Sequence, residues 1–207
     1  MSMTRDPDRL VLFTDAVVAI AVTLLILPLV EAVQDVPKDS DPWTMIHEEK
    51  SAIFSFLLSF AVIARFWLVH HRVFEHVKAY NTVMIQLNML WLLCIVVLPF
   101  PTEMIGHFDG DSRFIAGLYA ANLLVLSACQ TGLTLLVRGH RKLEVDDNPI
   151  TDPEVAGSIT FTASALIAFL LAALVPDVRF YALLVLILSG PAAQLILRLR
   201  KSPASAA

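Results

Sequence analysis

Charge is scarce in this chain. Asp, Glu, Lys and Arg make up 16% of its 207 residues, against 57% apolar side chains; soluble proteins run nearer about 25% charged and about 45–50% apolar. A water-soluble protein of this size needs a polar coat, and the charges to build one are missing. The composition therefore points to an integral membrane protein. A net charge of −4 also removes the basic patch that nucleic-acid binding requires. Cysteine is nearly absent. The two present, Cys94 and Cys129, both lie inside apolar runs and read as small packing residues rather than as a disulfide or a metal pair. Low-complexity sequence is confined to the end, where 201–207 reads as a disordered tail, and the two halves share no visible repeat.

Charge is scarcest where the chain would cross a bilayer. The middles of the apolar runs hold no Asp, Glu, Lys, Arg or His; the nearest ionisable groups are Asp15, Arg65, His70 and His71, all toward one end of their runs. A proton-coupled carrier needs a carboxylate or imidazole near the midplane to hold the proton, so this absence weighs against one. It also weighs against an enzyme, because no Ser/His/Asp set, His-Glu-x-x-His or carboxylate pair falls inside a run. A conduction path here would be walled mostly by hydrocarbon, and no cofactor is expected.

What is present is six apolar segments, at approximately 10–30, 51–69, 80–102, 114–137, 155–175 and 178–197. Each approaches or exceeds the roughly 20 residues that cross about 30 Å of hydrocarbon as a helix. The expected fold is all-α, one domain of six transmembrane helices over 1–207, its last two spans joined by the tight turn PDVR. The first run reads as a retained span, since its leading MSMTRDPDR carries acids and no small-residue cleavage site follows Leu29. Small residues at Gly117, Gly132, Gly157 and Gly190 are expected to let helices approach closely, and Pro191 to kink the last span. Basic residues gather on one side: Arg5 and Arg9, Arg72 and Lys78, Arg138, Arg141 and Lys142, then Arg198, Arg200 and Lys201. The positive-inside rule puts that side, with both termini, in the cytoplasm, as in a multi-pass protein of the cell membrane. The opposite loops are acidic. They read as ordinary solvated loops, with cation attraction at the mouth of a pathway as the alternative.

The first span opens on a polar stretch, RLVLFTD, residues 9–15. On a wheel of about 100° per residue with Ile20 at zero, Leu24, Leu27 and Phe13 fall within about 40° of it. Thr23 lies at the edge of that stripe, and Asp15 points nearly the other way, toward neighbouring helices. By the wheel alone the stripe faces lipid or packed core, as most aliphatic stripes do. Pro28 removes the helical partner of the Leu24 carbonyl and bends the span there; it reads as a proline tolerated near a helix end. Asp15 needs a partner, since a lone carboxylate near hydrocarbon is costly. The candidates are Arg9 and the cluster RFWLVHHRVF, residues 65–74, with Trp67, His70, His71 and Arg72. Adjacent His70 and His71 diverge on a helix and lack a third ligand, so a polar clamp between helix ends is expected there, and no metal site.

These residues resemble a known family. RLVLFTDAVVAIAVTLL resembles the Arg-x-x-x-Phe-Ser-Asp opening of the transmembrane protein 175 potassium channels, the lysosomal channels and their prokaryotic relatives. WLVHHRVF and LNMLWLLCIVVLPFPT resemble their second and third helices; beyond about residue 105 only hydropathy and span count agree. The resemblance implies a homotetramer of six-helix subunits around a central pore lined by the first helix. It implies Ile20, Leu24 and Leu27 as the aliphatic constriction, and Thr23 as a hydroxyl layer that favours potassium. Arg9, Phe13, Thr14 and Asp15 match the signature, which joins a polar network with Trp67, His70, His71 and Arg72. Thr14 replaces the family's Ser, and Pro28 with the following LVEAVQ departs from its pattern. The expected activity is passive, modestly selective potassium conduction. The alternatives are a proton or cation leak, and behind these a secondary transporter.

Overall fold

The computed structural model describes residues 7–35, 41–108 and 112–175. Eight helices run in order: α1 Asp8–Leu24, α2 Leu27–Asp35, α3 Pro42–Glu48, α4 Lys50–Glu75, α5 Thr82–Val97, α6 Pro99–His107, α7 Arg113–Gly139 and α8 Asp152–Leu174. Together they make five segments long and apolar enough to cross a membrane: Asp8–Gln34, Lys50–Glu75, Thr82–His107, Arg113–Gly139 and Asp152–Leu174. The expected span at 178–197, the turn before it and the tail at 201–207 lie outside the described residues.

Proline sets two of the breaks. In the first span α1 stops at Leu24, four residues before Pro28, and Leu25 closes a tighter turn onto the Val22 carbonyl at 3.3 Å. The pyrrolidine ring would collide with the carbonyl one turn back, so the helix ends there and restarts at Leu27. In the third span, Pro99 and Pro101 open α6 directly after α5. The second span extends to Glu75, past the expected 69, and places His70, His71 and Arg72 on its last two turns. The short α3 was not expected. It starts where Asp41 caps the Trp43 amide at 3.4 Å and Pro42 occupies the first turn, the usual chemistry of a helix start.

α1 lies against α4 and α5, α4 against α6, and α7 against both α5 and α8. A central core runs through Val18, Leu25, Ile63, Phe66, Trp91, Ile95, Leu98 and Tyr119. A second cluster, including Phe74, Met84, Leu133 and Ile150, fills the end where the α4–α5 turn meets the 139–151 loop. That loop is tied down by a one-residue antiparallel bridge of Val77 to Glu144, with 2.8 Å bonds from Lys78 N to Leu143 O and from Val145 N to His76 O.

Close helix approach falls elsewhere than at the glycines expected. A β-carbon added at Gly117 or Gly157 meets nothing within 4 Å, and one at Gly132 only touches Leu87 at 3.4 Å. The tight seam between α7 and α8 is instead built of alanine: Ala116, Ala120, Ala168 and Ala172 are all buried together. It continues into hydroxyls, with Thr131 Oγ1 at 2.7 Å from Ser158 Oγ and 2.8 Å from Thr162 Oγ1. Small side chains bring helix backbones close where lipid supplies no hydrophobic drive between them, and hydroxyl pairs bind across the same seam. Among the described glycines, the one with no room for a side chain is Gly106 on α6, where an added β-carbon would sit 3.0 Å from the Ala52 backbone of α4.

Candidate functional site

α1 buries a single ridge on its own subunit: Thr14, Val18, Ala21 and Leu25. Their spacing of four, three and four residues keeps them on one side of a helix. The other faces look outward. Phe13 is 52% exposed, Ile20 61%, Leu24 40% and Leu27 47%, and Thr23 is exposed among them. Thr23 Oγ1 donates its hydrogen to the Ile20 carbonyl at 2.7 Å, which turns the oxygen's lone pairs away from its own helix.

Two polar side chains hold α1 in that rotation. Thr14 is fully buried and sits at the end of a directed chain of hydrogen bonds. His70 Nε2 on α4 meets Asn88 Oδ1 on α5 at 2.7 Å; Asn88 Nδ2 donates to Thr14 Oγ1 at 2.9 Å; and Thr14 donates to the Leu10 carbonyl at 2.9 Å. With the Asn88 amino group spent on Thr14, its carbonyl oxygen must accept, so His70 carries its proton on Nε2. The His70 ring is packed against Trp91 and Phe74, with centroids at 4.2 and 4.5 Å. Asp15, next along the chain, accepts from Trp67 Nε1 of α4 at 2.8 Å. The Trp67 indole in turn stacks on His71 at 5.6 Å, and His71 Nε2 lies 3.8 Å from Glu75.

The structure thus brings Thr14, Asp15, Trp67 and His70 together, with His71 stacked behind. It does not bring in the rest of the expected network. Asp15 takes the indole N–H rather than Arg9, which is exposed a turn and a half earlier, on the same side of the helix as Ile20. Phe13 points outward, and Arg72 is exposed on another face of α4, away from α1. Among the described residues no group of three or more His, Cys, Asp or Glu could hold a metal ion.

Asn88 joins the two halves of the clamp and was not singled out from the sequence. Its signal was there: a carboxamide inside an apolar span is costly unless paired. Its partners, however, lie 18 and 74 residues away, and hydropathy alone does not connect them.

The profile of the endosomal/lysosomal potassium channel TMEM175 family matches residues 9–99. Over these residues the chain is similar to the TMEM175 family. The matched stretch carries α1 through α5, and therefore the whole clamp and the outward stripe. This is a family of ion channels, not enzymes. The chain is 31% identical over 129 residues to a potassium channel of Streptomyces collinus, a match covering 59% of this chain and 60% of that protein. It is 24% identical over 140 residues to the endosomal/lysosomal proton channel TMEM175 of Danio rerio, covering 67% of this chain and 26% of that one. The chain thus spans about 60% of the length of the bacterial relative and about a quarter of the vertebrate one. In fold it is similar to the crystal structure of a lysosomal potassium-selective channel TMEM175 homologue from Chamaesiphon minutus. The TM-score is 0.67 at 24% identity, over 94% of this chain and 97% of that one.

Proposed function

We propose that this protein is a passive cation channel with a modest preference for potassium over sodium. Four copies surround a central pore lined by α1, in the cell membrane, with both termini cytoplasmic. Ile20, Leu24 and Leu27 form its constriction and gate. The observation that carries this reading is the rotation of α1. Thr14 and Asp15 are turned inward onto α5 and α4, and an apolar stripe with one hydroxyl, Thr23, is turned out beyond Arg9. Repeated fourfold, that stripe makes narrow hydrocarbon rings. Water leaves a narrow apolar tube, so the rings gate by dewetting. A cation crossing them sheds part of its hydration shell. Potassium holds its water less tightly than sodium, and four Thr23 oxygens with free lone pairs offer replacement ligands. No cofactor is called for; the partners are the bilayer, the other subunits and the permeant potassium ion.

The test is flux in liposomes. Ile20→Asn and Leu27→Asn each replace an apolar ring with a wettable one. Both are expected to raise potassium flux severalfold and to lower the potassium/sodium preference. Unchanged flux and preference in both variants would show that α1 does not line the pore.

A second reading, a proton or cation leak, draws support from the vertebrate relative's name as a proton channel. With no carboxylate at mid-depth, protons would cross on water. A pH-sensitive dye in the same liposomes separates the two. Saturable, substrate-coupled uptake would instead favour a secondary transporter, which single-channel current steps exclude.

A further inference from the structure

A second polar feature lies away from α1. Between α4, α7 and α8 the helices frame a half-open cleft of about 260 Å³, with Arg65 and Arg72 exposed at its open side. Its walls are largely apolar, with Phe66 and Phe161 meeting edge-on at 5.5 Å at one side. Three polar side chains that face it have no use in the fold. Gln130 of α7 is 4% exposed, and neither its Nε2 nor its Oε1 has a hydrogen-bond partner. Arg65 and Arg72 of α4 both line the cavity, and neither forms a salt bridge among the described residues. They stand seven residues apart, hence on one face of the helix and about 10 Å apart along it.

The remaining ionisable groups at the cavity, His76 and Glu154, are engaged with each other. His76 Nε2 lies 3.3 Å from Glu154, and its Nδ1 lies 2.7 Å from the Asn148 carbonyl. Glu154 also accepts from the Thr151 amide and hydroxyl, both at 2.7 Å. Neither arginine has an ion-pair partner among the described residues.

Arg65 makes the case for a ligand. It sits four residues inside the end of the apolar run 51–69, about 6 Å into the span. A guanidinium at that depth is costly and pairs with an anion or lines a polar cavity. No carboxylate of the described residues does the pairing. Apolar walls, two arginines at successive depths and a buried carboxamide with spare donor and acceptor together fit a phosphodiester with acyl chains attached. Basic pockets between helices at the cytoplasmic leaflet bind acidic lipid headgroups by this chemistry.

We propose that the cavity between α4, α7 and α8 is a binding site for an anionic phospholipid of the cytoplasmic leaflet. The phosphate is held by Arg65 and Arg72, and the headgroup is hydrogen-bonded by Gln130. The leaflet assignment rests on the orientation proposed above; the binding itself does not.

The full-length protein, delipidated in detergent, is titrated with dioleoyl phosphatidylglycerol or dioleoyl phosphatidylcholine and followed by native mass spectrometry. Two arginines near the membrane surface are worth about thirtyfold in preference for the anionic lipid. Arg65→Gln and Arg72→Gln are each expected to remove about fivefold of it. Arg141→Gln, a basic residue of the nearby loop outside the cavity, leaves it intact. Gln130→Leu keeps both charges and removes two orphaned polar atoms. It is expected to weaken binding severalfold without lowering thermal stability, and it carries the test if the arginine variants do not fold. Equal retention of the two lipids, or unchanged preference in Gln130→Leu and in whichever arginine variants fold, overturns the site. Full displacement by millimolar inorganic phosphate also overturns it, by assigning the cavity to a free anion. Because the readout is retained lipid rather than current, a failed channel reading leaves the result standing. Labelling of an Arg141→Cys variant from outside sealed vesicles tests the orientation separately.

Discussion

Replacing Asn88 with leucine tests the clamp most directly. The side chain is fully buried and makes bonds of 2.7 Å to His70 and 2.9 Å to Thr14. Leucine has nearly the same shape, so little of the effect comes from a cavity. What is lost is two interhelical hydrogen bonds, at about 0.6 kcal/mol each on average and up to about 1.7 in membrane proteins. What is gained is a stranded donor: His70 Nε2–H, packed between Trp91 and Phe74, has nowhere to turn. An unpaired buried group costs about 1–3 kcal/mol. Thr14 suffers less, because its hydroxyl still donates to the Leu10 carbonyl. The sum is about 2–4 kcal/mol, or on the order of 5–15 °C in Tm for a chain of this length. Thermal unfolding in detergent, followed by tryptophan fluorescence or by loss of the size-exclusion peak, measures it. A double-mutant cycle with Thr14→Val isolates the bond itself, and a coupling of about 0.6–1.7 kcal/mol is expected. If Asn88→Leu shifts Tm by less than about 1 °C, or if the two substitutions add within about 0.3–0.5 kcal/mol, the chain from α4 through α5 to α1 does not hold α1 in place.

The same geometry makes three further predictions. Trp67→Phe strips Asp15 of its 2.8 Å donor and should cost about 1.5–3 kcal/mol, the range for a hydrogen bond to a charged group; Asp15→Asn keeps an acceptor and should cost less, so equal losses in thermal melts would refute the pairing. Ala168→Leu forces a large side chain into the buried alanine seam of α7 and α8 and should destabilise by about 1–3 kcal/mol through overpacking; an unchanged melt would mean that the seam opens freely. Thr23→Ala removes an outward oxygen without touching a buried contact, so potassium/sodium preference should fall in liposome flux while stability in thermal melts stays within about 0.5 kcal/mol of the parent.

The five described spans were legible because hydropathy over about 20 residues has one explanation in a chain this poor in charge. A bend ahead of Pro28 was legible too; that it becomes a full break, with α1 ending at Leu24 and α2 starting at Leu27, was not expected. Asn88, the alanine seam and the Arg65–Arg72 cavity were not, and for one physical reason. Each depends on how helices are rotated against each other, and a helix such as α5, apolar all round, announces no inward face. Asp15 shows the limit well. Its sequence offered Arg9 six residues away and a cluster some fifty residues on. The indole took it because α1 and α4 lie side by side, whereas Arg9 falls about 120° away from Asp15 around its own helix. The α3 start could have been read from Asp41 and Pro42, which carry a cap and a first-turn proline in succession.

Rotation is also where the polar opening of α1 acquires meaning. Lipid gives an apolar helix little reason to prefer one face, because hydrocarbon outside is as apolar as the neighbouring helices. Hydrogen bonds do discriminate. Thr14 and Asp15 diverge by about 100° on the helix and engage two different neighbours, Asn88 on α5 and Trp67 on α4. One such bond would leave a pivot; two fix the rotation and the depth together. Their mean direction lies about 170° around from Ile20, so satisfying both turns Ile20 and Leu24 outward by construction. The break at Leu25 then confines that control to the helix below it. The residues that set the direction of the stripe are therefore not on the stripe, and they lie at the end of α1 where a carboxylate and a tryptophan are least costly to keep near the membrane surface.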